Sequence, residues 1–109
     1  MNRALFSTAV AAIVFAWTVQ TMAQDMGDPK RGATLAQTVC AECHTVDGTP
    51  KSSPNPMAPS FANVAKSSGM TALALRVWLQ SPHPTMPNLT LNNEEKDDVI
   101  AYILSLKGR

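Results

Sequence analysis

Two cysteines and a histidine stand close together in the segment Cys40-Ala41-Glu42-Cys43-His44. Thiols three residues apart lie on one turn of a helix, where both can add to the two vinyl groups of one haem. The imidazole of His44, which follows directly, can then turn onto the haem iron as an axial ligand. The spacing therefore predicts one covalently attached haem c, held by Cys40, Cys43 and His44.

A Cys-x-x-Cys pair also occurs in other kinds of site. A tetrahedral zinc ion needs four ligands, and the chain has only two cysteines and two histidines, of which Cys43 and His44 are adjacent and awkward for one ion. A thioredoxin-like disulfide belongs in a βαβ unit, but no run of alternating or β-branched residues predicts a strand. A plain structural disulfide stays open as an alternative, because exported proteins often pair two cysteines.

The second axial position of such an iron requires a further side chain. Methionine is a weak, flexible ligand that must be held on a stiff segment, and Met86 meets this condition because Pro84 and Pro87 flank it. We predict His44 and Met86 as the iron ligands, with His83, in the same loop, or an open iron as alternatives. The other candidate methionines, which we interpret as core or surface residues, are Met26, Met57 and Met70.

The first residues of the chain have the pattern of an export signal. A short basic start precedes an apolar run from Ala4 to Val19, and Thr21-Met22-Ala23 places small residues before a cleavage point. The run is shorter than the ~20 residues of a spanning helix, although an uncleaved anchor stays the alternative. We predict a signal peptide over residues 1–23, one mature domain over residues 24–109, and a periplasmic location with no membrane span after cleavage.

Composition limits both the core and the class of partner. The mature chain keeps only three aromatic residues, Phe61, Trp78 and Tyr102. A domain this small has little core of its own, so we expect it to depend on its cofactor for stability. With Arg3 removed, basic and acidic residues are equal in number. A near-neutral chain gives no case for nucleic-acid binding.

The mature sequence predicts helices and no strands. Asp28 is a suitable N-cap with Pro29 at the first helical position, and this helix is expected to continue to the cysteines. Residues 46–60 contain four prolines and a glycine, which predicts a loop.

Three further helices are expected in the second half of the chain. One covers residues 61–66, a second is capped by Thr71 and ends near Gln80, and the proline-rich residues 81–87 cannot continue it. Asn92 and Glu95 form a capping-box pattern at the start of the last helix. The apolar face of that helix comprises Val99, Ile100, Tyr102, Ile103 and Leu106.

Taken together, these positions resemble those of small bacterial class I c-type cytochromes. In chain order they are Gly32, Cys40 to His44, Ala58-Pro59-Ser60-Phe61, Trp78-Leu79 to Pro82, Met86-Pro87 and Asp98 to Leu106. They extend over nearly all of the mature chain. The resemblance implies an all-α cytochrome c fold, with three to five helices wrapped around one covalently bound haem.

The resemblance also implies how the first and last helices meet. Gly32 would let the first helix cross the last one closely at Tyr102, because a residue without a side chain permits near backbone contact. Ala36 departs from the family pattern, which often has an aromatic residue four positions before the first cysteine. We therefore expect a crossing that is looser or filled by Leu35.

Further roles around the cofactor follow from the same resemblance. Pro59 would pack by His44, and a carbonyl near it would accept the His44 Nδ1 hydrogen bond, which orients the ring. The Trp78 indole would reach a haem propionate. Phe61, Trp78 and Tyr102 would wall the haem or brace the helix crossing, with ordinary core positions as the alternative for all three.

An iron with a side chain on both faces has no position left for oxygen or peroxide, so its remaining chemistry is one-electron exchange. We predict an electron carrier and not an enzyme, monomeric, with one redox protein as donor and another as acceptor. Two alternatives stay open: a dedicated subunit of one dehydrogenase, and a peroxidase or gas sensor if the Met86 position is open. Docking is expected through the segment between Arg76 and Lys96, which carries no lysine or arginine.

Overall fold

The computed structural model describes residues 27–81 and 83–109. The predicted signal segment, residues 1–23, and the candidate Met26 lie outside this part. The described residues form α1 (Pro29–Leu35), a π-helical turn (Ala36–Cys40), α2 (Phe61–Lys66), α3 (Ala72–Gln80), α4 (Asn93–Ser105) and a 3-10 turn (Leu106–Gly108). Four α-helices without a β-strand in this part confirm the predicted all-α fold. No helix among these residues is long and apolar enough to cross a bilayer.

Each α-helix begins at a side chain that accepts a hydrogen bond from a backbone N–H of the first turn. These caps are Asp28, Ser60, Thr71 and Asn92. At α4 the predicted capping box is present, because Asn92 Oδ1 accepts from the Glu95 N–H at 2.9 Å and Glu95 Oε2 accepts from the Asn92 N–H at 2.8 Å. Local sequence therefore sets where the helices start.

Helices α1 and α4 cross at Gly32. A Cβ atom built on Gly32 would lie 1.9 Å from the Asp98 carbonyl oxygen and 2.8 Å from the Tyr102 Cβ. No real Cβ tolerates such distances, so only glycine permits this approach. The predicted close crossing at Tyr102 is confirmed.

The π-helical turn extends the buried face of α1 as far as Cys40. Its wider hydrogen bond joins the Ala41 N–H to the Ala36 carbonyl at 2.9 Å. In an α-helix a residue four positions further on has turned by about 40° around the axis. A π turn holds more residues, so it brings Cys40 back onto the buried side with Gly32 and Ala36. Ala36 itself is fully buried, and Leu35 is half-buried and packs against the core.

A buried carboxylate locks the same crossing. Asp98 on α4 is only 5% exposed and accepts hydrogen bonds from the Asp28 N–H at 2.6 Å and from Arg31 Nε at 2.8 Å. The guanidinium of Arg31 holds the pKa of Asp98 below its usual value, with the Asp28 N–H acting in the same direction. The ionised form of Asp98 is therefore the one that stabilises the fold.

Tyr102 joins α4 to the loop that follows the cysteines. Its buried hydroxyl donates a hydrogen bond to the Val46 carbonyl. Its ring lies 6.4 Å from the ring of Phe61, measured between centroids. Tyr102 thus ties α4 to this loop, while its Cβ lies beside Gly32 at the helix crossing.

We predict that Gly32→Ala lowers the stability of the holoprotein by about 1–3 kcal/mol, because the added methyl group overlaps the α4 backbone. In thermal unfolding this corresponds to a fall in midpoint of roughly 4–24 °C, at 4–8 °C per kcal/mol. Gly108→Ala is the matched control, since no atom lies within 4 Å of its Cβ position. Alanine normally stabilises a helix interior relative to glycine. A rise in midpoint for Gly32→Ala would therefore contradict the close crossing.

We also predict that Asp98→Asn flattens the acid limb of the stability–pH curve. A carboxyl whose pKa is depressed in the folded state stabilises above its unfolded pKa of about 3.9, and this stabilisation is lost as pH falls through the folded pKa. The urea midpoint of the variant should thus be lower than that of wild type at neutral pH. It should also fall less steeply as the pH is lowered into the acid range. Glu94→Gln, at an exposed partner of Arg31, is the control and should keep the wild-type slope. Parallel curves for wild type and Asp98→Asn would contradict the assignment.

Candidate functional site

The two cysteines lie on a hydrogen-bonded turn at the end of the π-helical turn. The Cys40 carbonyl accepts from the Cys43 N–H at 3.1 Å and from the His44 N–H at 2.9 Å. Cys40 is buried, Cys43 is half-buried, and no disulfide joins them. Burial raises the pKa of the Cys40 thiol to about 11. A thiol with this pKa is protonated near neutral pH.

The ring of His44 is oriented by the loop below it. Its Nδ1 lies 2.7 Å from the Pro59 carbonyl oxygen. Because a carbonyl can only accept, Nδ1 carries a proton and donates it in this hydrogen bond. The ring also lies 5.4 Å from that of Phe61 between centroids. The ring of His44 is thus oriented with Nε2 as the nitrogen that can bind a metal.

Backbone hydrogen bonds hold this loop against the cysteine turn. The Phe61 N–H donates to the Thr45 carbonyl at 2.9 Å, and the Asn55 N–H donates to the Cys43 carbonyl at 3.1 Å. The hydroxyl of Ser53 accepts from the Thr45 N–H at 3.0 Å. The two ends of the loop therefore move as one unit with the cysteine turn, and this places the Pro59 carbonyl below His44.

Two cavities of about 370 and 380 Å³ lie beside the cysteine turn. The first extends over α2, α3 and α4, with an apolar floor that includes Leu75, Val99 and Ile103. The second lies along Cys43 and the loop that follows α3. Five residues line both cavities, and these are Cys40, His44, Pro59, His83 and Met86. We call the two cavities together the cleft.

The loop after α3 brings Met86 into the cleft by a tight turn over residues 83–86, which we call the strap. The Met86 N–H donates to the His83 carbonyl at 3.3 Å, and these residues form an isolated antiparallel bridge. His83 is held at the rim by Trp78, whose ring meets it edge-on at 5.1 Å between centroids. The Nδ1 of His83 lies 3.1 Å from the Ser81 carbonyl oxygen and donates a hydrogen bond to it.

All six residues predicted for the site line the cleft. Cys40, His44, Pro59 and Met86 line both cavities, whereas Cys43 lines the second and Trp78 the first. Trp78 stands at the rim with 54% of its surface exposed. Of the other candidates, Met70 lines the first cavity and Met57 the second.

Sequence reasoning missed two features of the site. One is the edge-on contact of Trp78 with His83, for which neither residue carries a local signal. The other is that Leu75 and Leu91 line the first cavity. Leu75 lies inside a predicted helix, but only the packing of α3 against α4 shows which of its faces meets the cleft.

The lining fits a covalently held haem. Protein interiors are close-packed, so a cleft with mainly apolar walls suits a large apolar group. Cys40 and Cys43 would form the thioether links, and the free Nε2 of His44 is the kind of donor that haem iron takes. In the part of the chain that is described, no three His, Cys, Asp or Glu side chains are grouped as ligands of a single metal ion.

Comparisons with known proteins agree with this geometry. Residues 29–107 match the model of the family described as Cytochrome c. The chain is also 41% identical, over 81 residues, to cytochrome c-552 of Bradyrhizobium diazoefficiens, covering 73% of this chain and 76% of that protein. No solved structure gives a significant match. With a predicted class I motif, a helical fold and a fitting cleft, the chain belongs to the cytochrome c family and is a small c-type cytochrome with covalently bound haem c.

Proposed function

We propose that this cytochrome is a monomeric one-electron carrier of the periplasm, with His44 and Met86 as its two iron ligands, and that it is not an enzyme. The observation that carries the proposal is that His44 and Met86 line the same two cavities, together with Cys40. Bound haem supplies reversible one-electron exchange between ferric and ferrous iron. With His44 and Met86 as ligands, oxygen and peroxide would be kept from the iron, which would separate a carrier from a peroxidase or a gas sensor.

The proposed ligands differ in how the chain holds them. His44 is oriented by the Pro59 carbonyl, and such a bond raises the basicity of the imidazole. Met86 is supported by a strap with Pro84 before it and Pro87 after it, which limits the backbone entropy that a flexible thioether ligand would otherwise cost. A histidine–methionine pair favours the ferrous state and a raised potential.

The location rests on the sequence of residues 1–23. Their basic start, apolar run and small residues before Gln24 support export of a mature chain over residues 24–109. In the periplasm a donor such as a dehydrogenase and a terminal acceptor would be its redox partners.

The proposed docking face is the uncharged surface around the strap. Residues 77–93 contain no lysine, arginine, aspartate or glutamate. The acidic residues that follow are engaged within the fold: Glu94 and Asp98 pair with Arg31, Asp97 pairs with Arg76, and Glu95 belongs to the capping box. Their charges therefore stabilise the fold. Contacts at the cleft mouth would be made mainly by apolar side chains such as Pro84, Pro87 and Leu89, with Glu42 as the one charged residue that lines the same cavity.

We predict that Met86→Ala abolishes the weak sulfur–iron absorption band of the ferric protein, lowers its potential and lets cyanide or carbon monoxide bind. Absorption spectra and a redox titration measure all three effects. Met57→Ala is the matched control, because Met57 also lines the cleft but is 74% exposed, and it should leave the band unchanged. If His83→Ala were the substitution that opened the iron, the ligand assignment would be wrong.

We predict that electron self-exchange between oxidised and reduced copies of the protein depends weakly on salt. Raising ionic strength from about 0.01 to 1 M shortens the Debye length from about 30 to 3 Å, which screens charges but barely affects apolar contact. The exchange rate can be measured by NMR line broadening. Electrostatic steering changes association rates by about tenfold or more, and we expect a smaller change here over this salt range. Leu89→Ala should slow exchange, whereas Lys51→Ala, at an exposed charge outside the strap, should not. A steep salt dependence would assign docking to charged residues instead.

A further inference from the structure

Thr85, in the middle of the strap, has an unusual backbone conformation. Its φ is 69°, and among the described residues it is the one non-glycine residue with positive φ. It follows Pro84 in the turn that the Met86 N–H closes on the His83 carbonyl. Proline at the second position and positive φ at the third are the pattern of a type II turn, where the third residue is normally glycine or asparagine.

Threonine is poorly suited to this position. In the left-handed region the Cβ atom crowds the following carbonyl oxygen, which costs roughly 1–2 kcal/mol, and a β-branched side chain is a clear outlier there. The side chain of Thr85 is exposed, so no burial offsets this cost. The turn therefore holds strain next to the proposed Met86 ligand.

The strained conformation determines where Met86 points. Residues opposite each other in an antiparallel bridge carry their side chains on the same face, and the bridge pairs Met86 with His83. Both side chains line both cavities. His83 is fixed independently, by the Trp78 ring and by the Ser81 carbonyl. Relaxing Thr85 to negative φ would break the turn on the side of Met86, while His83 kept its contacts.

We propose that Thr85 is a strained positioning residue of the strap, and that its strain sets how readily Met86 leaves the iron. This inference rests on the proposed ligation by Met86. The strap closes when the turn forms with Thr85 left-handed and opens when Thr85 relaxes. A residue that accepts positive φ at position 85 holds the strap closed more tightly, and small ligands that compete with Met86 then bind less well.

The test is a titration of the ferric holoprotein with cyanide, followed through loss of the sulfur–iron absorption band, in the variants Thr85→Asn, Thr85→Gly and Thr85→Val. Asparagine and glycine tolerate positive φ, so their apparent cyanide affinity should fall by about 5- to 30-fold, the factor that corresponds to roughly 1–2 kcal/mol of relieved strain. Asparagine is the more informative variant, because glycine also adds entropy to the open strap. Valine keeps the branched Cβ without the hydroxyl, and it should bind cyanide at least as well as wild type.

The outcomes separate this inference from the proposed ligation. A wild-type protein without the sulfur–iron band would overturn the Met86 assignment and the inference with it. A wild type that has the band, with cyanide affinities in Thr85→Asn and Thr85→Gly equal to wild type, would overturn the inference alone. Thermal midpoints that rise in these two variants without a fall in cyanide affinity would also overturn it, since the turn would then be strained but would not control Met86.

Discussion

The contact on which the rest of the structure depends is the backbone approach of α1 to α4 at Gly32. One end of α1 leads through the π-helical turn to Cys40, while α4 supplies Val99 and Ile103 to the floor of the cleft. The crossing therefore sets the distance between the attachment point of the cofactor and the surface on which it rests. The buried Asp98 carboxylate with Arg31 fixes the same crossing through directed hydrogen bonds, which apolar packing alone cannot supply.

The two sides of the cleft are held in different ways. On the His44 side, backbone bonds from Asn55 and Phe61 and the carbonyl of Pro59 leave the ring little freedom. On the Met86 side, a longer and more flexible side chain is positioned by one hydrogen bond of 3.3 Å, from the Met86 N–H to the His83 carbonyl, and by two prolines. Because imidazole must present one nitrogen in a defined direction, its site needs the denser network. A thioether is softer and less directional, so a strap that can open is compatible with its role.

Most of the ion pairs serve the scaffold, and Glu42 is the one charged residue among those that line the second cavity. The ion pairs of Arg31 and Arg76 with α4 lie at the helix crossing and beside it. The surface around the strap is left to proline, leucine and small polar side chains. Association through such a surface would depend on shape and apolar contact, which are short-ranged, more than on long-range attraction. This arrangement suits the proposed carrier, which must release each partner after transfer.

The sequence by itself determined the features that local chemistry controls. Cys40, Cys43 and His44 lie within five residues, and the caps Asp28, Thr71 and Asn92 act on N–H groups within three residues of themselves, so neither needs tertiary context. Tertiary structure decided the rest. The bond between Arg31 and Asp98 spans 67 positions, and the edge-on contact of Trp78 with His83 exists only once the strap has folded back. The left-handed conformation of Thr85 is contrary to its intrinsic preference, because closing the turn between His83 and Met86 outweighs a local cost that sequence alone would have avoided.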